Sequence, residues 1–452
     1  MRDAIVYGTS ANYMYPKSGE KLAQLTDHLH EIKELGANTL WLGPIYKSSQ
    51  HGQGYDVVDH FSVNPDLGNH RDFARLMKRA RELGLRVVLD FVPSHISAHH
   101  AAAKAVAKKG EASEFFSLFM HAPDGAPYGE HYQEVILGRA KFLTYFWKEL
   151  LNLDLNGAKA QELVTNAALF WLKKFDIDGY RIDAAWAPMA RSPNFMVSLR
   201  DRLKREKSTF AFIAEDKAGR PEAYGDSNDT ATRHPASSEV FDVVYDWTRS
   251  AEYISEWSWT QHDQTIFDQD EGGNVAGLMR EALETYRRDD SNRARVLRFI
   301  ENNDTHRFIS THSLGQTKLA AWMTFLVPGV PLIYAGQEVG LGRDEEPHVQ
   351  FPTYDPNKKI RHDDELKLWP FYQRLTRLRA ELPELRSDEM AFLEVKPASQ
   401  ARKVLAFDRT LGTERTTVIA NFGWSGAKVR VGQRNYRLKP YEVVLLKNGK
   451  RL

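Results

Sequence analysis

Short apolar runs alternate along most of this chain with longer stretches in which apolar residues recur every three to four positions. Runs fully apolar on both faces suit strands buried on both sides, and the intervening period suits amphipathic helices, so the alternation predicts repeated strand–helix units around a parallel sheet. The strands are expected at 4–8 (AIVYG), 39–42 (TLWL), 86–92 (RVVLDFV), 179–183 (GYRID), 210–214 (FAFIA), 241–245 (FDVVY), 296–300 (VLRFI) and 330–334 (VPLIY). Helices are expected at 20–35, 71–83, 159–175, 194–206, 274–288, 316–326 and 365–381. Eight strands in this order predict an α/β fold, a (β/α)8 TIM barrel, from 1–94 and 155–382.

Two stretches break the alternation. Between the third strand and its helix lies 95–154, far longer than an ordinary strand–helix loop, and this is read as a small inserted domain. Its aromatic residues Phe115, Phe116, Tyr128, Tyr132, Tyr145 and Trp147 suit it to covering one side of a barrel mouth. From 383 to 452 the pattern changes to period-two strands with turns (KVLAFDRT, TTVIANFG, AKVRVG, YEVVLLK), which predicts a C-terminal antiparallel β domain.

Composition narrows the function. At 452 residues the chain exceeds a single barrel by about one small domain. Lys+Arg 61 against Asp+Glu 60 leaves a formal charge of +1, which argues against nucleic acid or an anionic membrane as partner and fits a neutral substrate. With no cysteine there is neither disulfide nor thiolate chemistry. The N-terminus enters a strand without an apolar leader, and no run long enough to span a membrane follows, so the expected location is cytoplasmic.

Barrel enzymes carry their reacting groups just after the strands, at the C-terminal face. Here the third strand ends in Asp90 and His95, the fourth in Arg181 and Asp183, the fifth in Glu215 and the seventh in Asp304. One acid ending a strand is ordinarily a turn or cap residue, but four strand ends aiming titratable groups at one mouth point to chemistry. Retaining glycoside hydrolysis needs a nucleophilic carboxylate and a second carboxyl as acid then base. Asp183, beside the charge of Arg181, suits the nucleophile, and Glu215, with its longer reach, the proton donor. Asp304 is expected to grip sugar hydroxyls and His95 to bind one, with Asp90 holding Arg181 in place. Asp216 is expected to face solvent. Trp41 and Trp171, on apolar faces, read as core.

These residues resemble glycoside hydrolase family 13, the α-amylase superfamily. LDFVPSH, DGYRIDAAW, IAED and FIENND are similar, in order, to the family's four conserved segments, and GYDVVDHFSVNPDLGN, LNLDLN and PGVPLIYAGQEVGL add further likeness across nearly the whole chain. The resemblance implies that Tyr55 stacks on the sugar at the cleavage site and that Asp56 binds the same sugar. Trp186, just past the nucleophile, is expected to line the acceptor side.

Three positions depart from the family pattern. Asn303 stands where the family has His before the stabilising Asp, which puts charge-assisted sugar binding there in question and leaves His306 as a substitute. Ser94 replaces an Asn that ligates calcium in many members. Asp154 then remains a lone carboxylate, so no cofactor and no calcium ion is expected to be required. Ala184-Ala185-Trp186 replaces the Lys-His pair common after the nucleophile, which argues against endo-action on long polymers. The expected function is retaining hydrolysis of maltooligosaccharides or related short α-glucans. A glucanotransferase or a trehalose-synthase-like isomerase uses the same triad, and a non-catalytic glucan- or protein-binding barrel is the reading from another class.

Overall fold

The computed structural model describes residues 1–14, 19–49, 54–121, 133–216, 237–246, 267, 273–288, 294–305, 307–342 and 364–452. Eight parallel strands close into a barrel: β1 (Val6–Thr9), β2 (Thr39–Leu42), β3 (Arg86–Phe91), β4 (Gly179–Ile182), β5 (Ala211–Ala214), β6 (Val243–Tyr245), β7 (Arg295–Arg298) and β8 (Val330–Tyr334), each hydrogen-bonded to its neighbours in chain order and β1 to β8. Every predicted barrel strand is present within a few residues. Among the described residues the longer helices between and after them are α1 (Lys21–Glu34), α2 (His70–Glu82), α3 (Ala158–Phe175), α4 (Pro193–Glu206), α5 (Val275–Arg288), α6 (Leu314–Leu326) and α7 (Leu368–Glu381).

Local chemistry sets the helix starts. Asn69 accepts from the Arg71 N–H while Asp72 accepts from the Asn69 N–H, a reciprocal cap that begins α2 and turns Phe73, Leu76, Met77 and Ala80 inward. Ser313 and Gln316 do the same for α6. The chain divides into two compact units, one of Thr9–Leu29 and Leu40–Val244, the other of Met1–Gly8, His30–Thr39 and Tyr245–Leu452.

In the first unit β4 pairs with β3 and β5, in the register Arg181↔Asp90 and Arg181↔Ile213. Gly179 opens β4 because the strands approach closely there: a Cβ on it would meet the Ala211 carbonyl oxygen at 2.6 Å. Outside the strands, Trp171 of α3 donates to the His60 carbonyl (2.7 Å) and packs edge-on against Tyr46 and Phe73. Beyond β3 the chain builds an antiparallel sheet from His95–Ser97, Leu150–Asn152, Ala140–Thr144 and Gln133–Leu137, in that spatial order, with a helix at Ala101–Lys109. The first and last strands of this insertion pair directly, His95 opposite Asn152. Tyr128 and Tyr132 lie outside the described residues.

The second unit carries β7, β8, α5 to α7 and two antiparallel C-terminal sheets. One pairs Met390–Phe392, Val404–Leu411, Glu414–Asn421, Val443–Lys447 and Lys450–Arg451, and the other Val395–Lys396, Ala427–Val431 and Arg434–Leu438. Val404, Ala406, Ile419, Val429, Val444 and Leu446 form the core of this domain. Two buried arginines tie it to the barrel helices. Arg379 donates to the carbonyls of Phe325 (2.9 Å) and Leu385 (3.0 Å), and Arg409 to those of Leu326 and Ser387. Phe325 and Leu326 end α6, so guanidinium groups satisfy carbonyls that the helix itself leaves open, and sit at the negative end of its dipole. Burial pulls both guanidinium pKa values down to about 9.

Candidate active site

The site in the first unit is organised by Arg181. The β3–β4 register sets it beside Asp90, and the two-residue period of a strand turns Asp183 to the same face. Arg181 Nη1 donates to Asp90 Oδ1 (2.9 Å) and Oδ2 (3.1 Å) and to Asp183 Oδ1 (2.9 Å), while Nη2 lies 3.0 Å from Glu215 Oε2. Its guanidinium also rests over the Trp41 ring, 5.2 Å from the centroid. Asp90 and Arg181 are fully buried, so neither is maintained by water. Asp90 takes further hydrogen bonds from Tyr55 Oη (3.1 Å) and Trp41 Nε1 (3.3 Å), which secures the node from the barrel side. Asp90 thus holds Arg181, and Trp41 belongs to the core beneath it.

One cation cannot neutralise three anions in a buried site. Burial pushes the Glu215 carboxyl up to about 7; Arg181 opposes the shift and the negative Asp183 adds to it. Near neutrality a large fraction of Glu215 therefore still carries its proton, while Asp183 faces the guanidinium. Glu215 Oε2 accepts the Ala184 N–H (2.5 Å), which leaves Oε1 as the oxygen that carries the proton.

That amide is aimed by an unusual backbone. Ala184, directly after Asp183, has φ +45°, a left-handed conformation costing a non-glycine residue about 1–2 kcal/mol. The backbones of the two acids are fixed as well: Asp183 N donates to the Phe91 carbonyl (2.9 Å) and Glu215 N to that of Ile182 (3.1 Å). Both carboxylates are thereby fastened to strand ends.

The other predicted residues take distinct places. His95 Nε2 lies 3.1 Å from the Tyr55 carbonyl, which only accepts, so Nε2 bears the hydrogen and Nδ1 accepts from Ser94 Oγ (2.9 Å). Burial brings His95 down to about 3, so the ring is neutral. Nε2 fixes the segment carrying Tyr55, and the Ser94 bond to Nδ1 sets the tautomer. Asp56 is buried; its Oδ2 accepts from the Ser49 N–H (3.1 Å) and hydroxyl, and its Oδ1 has no hydrogen-bond partner. Burial raises its pKa. Trp186 begins the short helix Trp186–Arg191 and packs against Tyr145 and Phe146 of the insertion. Asp216, expected in solvent, is buried and accepts from Ser237 Oγ, because the helix Ser237–Val240 covers it.

Ser94 Oγ is committed to His95, and Asp154 Oδ1 accepts the Asn156 N–H (3.2 Å) in a local turn. No group of three or more His, Cys, Asp or Glu suited to a metal occurs among the described residues.

In the second unit, the segment after β7 carries Asn303 and Asp304. Asn302 Oδ1 accepts the Asp304 N–H (2.9 Å), Thr305 Oγ1 accepts the Asn302 N–H (2.9 Å), and Asn303 Nδ2 donates to Asp304 Oδ1 (3.0 Å). Asn303 thus orients its neighbouring carboxylate. Sequence reasoning gave no role to Glu301, which braces the segment from below: it pairs with Arg307 (2.8 Å) and accepts the Phe308 N–H (2.7 Å), all buried. Nor did it assign Glu338, buried, bonded to Tyr7 Oη (2.7 Å) and raised by burial to about 7. Both acids stand inside quoted motifs, and position beside an apolar run was the available signal. His306 lies outside the described residues.

Comparison with known proteins places these features in a lineage. The α-amylase catalytic-domain family model matches residues 14–362. An α-amylase of Dictyoglomus thermophilum is 28% identical over 82% of this chain and 59% of its own length. The intracellular maltogenic amylase of Bacillus subtilis is 23% identical over 91% of this chain and 63% of its own. The chain thus spans about three-fifths of these relatives. The crystal structure of a Nostoc punctiforme debranching enzyme superposes with a TM-score of 0.75 at 21% identity, covering 99% of this chain and 98% of that one, which shows a shared fold.

The raised Glu215 carboxyl gives a pH test. A general acid works only when protonated, so if Glu215 is the donor, kcat/KM on an α-glucoside is expected to fall tenfold per pH unit above a midpoint near 7. A profile flat to pH 9 would remove Glu215 as the donor.

Proposed function

The chain belongs to the α-amylase family, and on that footing we propose that it is a retaining enzyme of short α-glucans, cleaving the α-glucosidic bonds of maltooligosaccharides. One observation carries the reading: two neighbouring carboxyl groups share a buried guanidinium, and the environment keeps the proton of one near neutrality. Glu215 gives that proton to the leaving glycosidic oxygen while Asp183 attacks the anomeric carbon and forms a glycosyl ester. Glu215, now a carboxylate, takes a proton from the water that opens the ester, and both groups return to their starting states. Asp304 is assigned to stabilising the positive charge that develops on the sugar, oriented by Asn303. Tyr55, held by Asp90 and His95, offers the sugar a ring face.

The enzyme needs no metal in this proposal, since the step is carried by two carboxyl groups. It works inside the cell on neutral sugars; the name of the intracellular relative from Bacillus subtilis supports that location. No helix among the described residues is long and apolar enough to cross a membrane.

Asp183→Asn is expected to keep the fold, as judged by an unchanged melting curve, and to lower turnover by about four orders of magnitude. The measurement is chromatography of all products from maltooligosaccharides, isomaltose, trehalose and sucrose; wild-type turnover surviving in the variant sinks the nucleophile assignment, and a blank panel with wild type favours a binding protein. Asn303→His is expected to raise kcat or shift chain-length preference by adding a titratable donor beside Asp304, and identical kinetics would show that the position does not influence the sugar. Treatment with EDTA is expected to leave activity and melting temperature unchanged; a large loss of either would restore a metal to the site.

A further inference from the structure

The outer face of the three-stranded C-terminal sheet concentrates positive charge. Its central strand Ala427–Val431 pairs with Val395–Lys396 on one side and with Arg434–Leu438 on the other. Val395, Ala427, Val429, Val431 and Leu438 turn into the domain core, so the alternate positions face outward. Those positions are Lys396, Lys428, Arg430, Asn435 and Arg437, all exposed. Four are cations and none is an acid, in a chain whose whole formal charge is +1. Two like-charged cross-strand pairs result, Lys428 opposite Arg437 and Lys396 opposite Arg430, with Asn435 completing the second row.

Like charges directly opposite one another destabilise a sheet. Lysine on an outer strand commonly guards a sheet edge against pairing, but Lys428 and Arg430 stand on the central strand, where no edge needs guarding. The neighbouring five-stranded sheet shows the alternative, with its charges matched: Arg415 lies 3.8 Å from Asp408, Arg451 2.9 Å from Glu442 and Lys447 2.7 Å from Glu384. On the basic face Lys396 pairs with Glu394 at 3.0 Å, both exposed, and such a pair is weak and easily exchanged. No carboxylate pairs with Lys428, Arg430 or Arg437 among the described residues.

Each cross-strand pair joins one lysine and one arginine about 5 Å apart, and the two pairs follow each other at about 7 Å along the strand. An arginine fork and an ammonium side by side match a phosphate dianion, whose oxygens accept from both. A protein partner, a bilayer and a single-stranded nucleic acid each add apolar or aromatic contacts to charge, and none of the five outward side chains supplies one. Asn435 offers instead a neutral donor and acceptor suited to a sugar hydroxyl. We propose that this face binds the phosphate monoester groups of a phosphorylated α-glucan, seating one phosphate at Lys428 and Arg437 and a second at Lys396 and Arg430. The inference rests on the α-glucan reading above and extends it to a charged form of the polymer.

The test measures binding of the full chain, carrying Asp183→Asn to stop turnover, to a soluble α-glucan phosphorylated enzymatically and to the same glucan after phosphatase treatment. Phosphate is expected to tighten binding about tenfold at low salt, and the gain to shrink as salt rises. Lys428→Gln with Arg437→Gln is expected to abolish that gain and, with Asp183 intact, to leave turnover of maltooligosaccharides within about twofold of wild type. Lys104→Gln with Lys108→Gln, which removes two exposed cations elsewhere, is expected to keep the gain. Equal binding with and without phosphate, or a gain that survives Lys428→Gln with Arg437→Gln, overturns the site. Tighter binding of duplex DNA or of phosphatidylglycerol vesicles than of the phosphorylated glucan assigns the face to another polyanion and overturns the proposal as well. No phosphate effect in a protein whose wild type turns over maltooligosaccharides overturns the site alone, whereas a wild type inactive on every α-glucan overturns the reading beneath it.

Discussion

A guanidinium buried among three carboxyl groups is the constraint from which the first unit's site follows. Removing a cation from water is costly unless its donors are met, and Arg181 meets Asp90, Asp183 and Glu215 at once. Asp90 balances its charge from within the barrel; the other two share what remains of its field. That unequal division separates two otherwise similar acids, giving one a proton near neutrality and the other a fixed cationic neighbour. The strand register supplies the geometry, since Arg181 stands opposite Asp90 by β-pairing before any side chain chooses a rotamer. Gly179, two residues earlier, lets β4 lie close enough to β5 for Glu215 to reach the same cation.

The surrounding polar groups position more than they react. His95, neutral and bonded through both nitrogens, secures the backbone of Tyr55, whose hydroxyl returns to Asp90. Ser94 Oγ donates to His95 Nδ1 and so fixes the imidazole tautomer. In the second unit Asn303 gives Asp304 a neutral amide donor, and the Glu301–Arg307 pair sets the turn from below.

Much of this was legible in the sequence because a parallel barrel writes its core as apolar runs and its chemistry at their ends. The eight strands, the helices between them and the Arg181, Asp183 and Glu215 cluster follow from that single rule. What was illegible depends on contacts across the fold. Asp216 looked like a surface acid until the helix Ser237–Val240 covered it. The left-handed turn at Ala184 has no sequence signal, because alanine is the least conspicuous residue that tolerates it. The hydrogen bonds of Ser94 to His95 and of Ser49 to Asp56 likewise have no sequence signal. The aromatic residues of the insertion were visible individually, whereas the ring contacts of Phe146 with His95 and with Trp147 exist only in three dimensions.

The insertion leaves and re-enters the barrel through strands that pair with each other, His95 opposite Asn152, so its two ends lie about 5 Å apart. A segment with adjoining ends can be exchanged without stretching the β3–α3 connection, whatever its length. Evolution can therefore treat it as a cassette, trading one surface for another while the carboxylates that follow β4 and β5 keep their backbone. The exchange has one restriction: the cassette's first residue is His95, so a replacement must bring its own clamp for Tyr55.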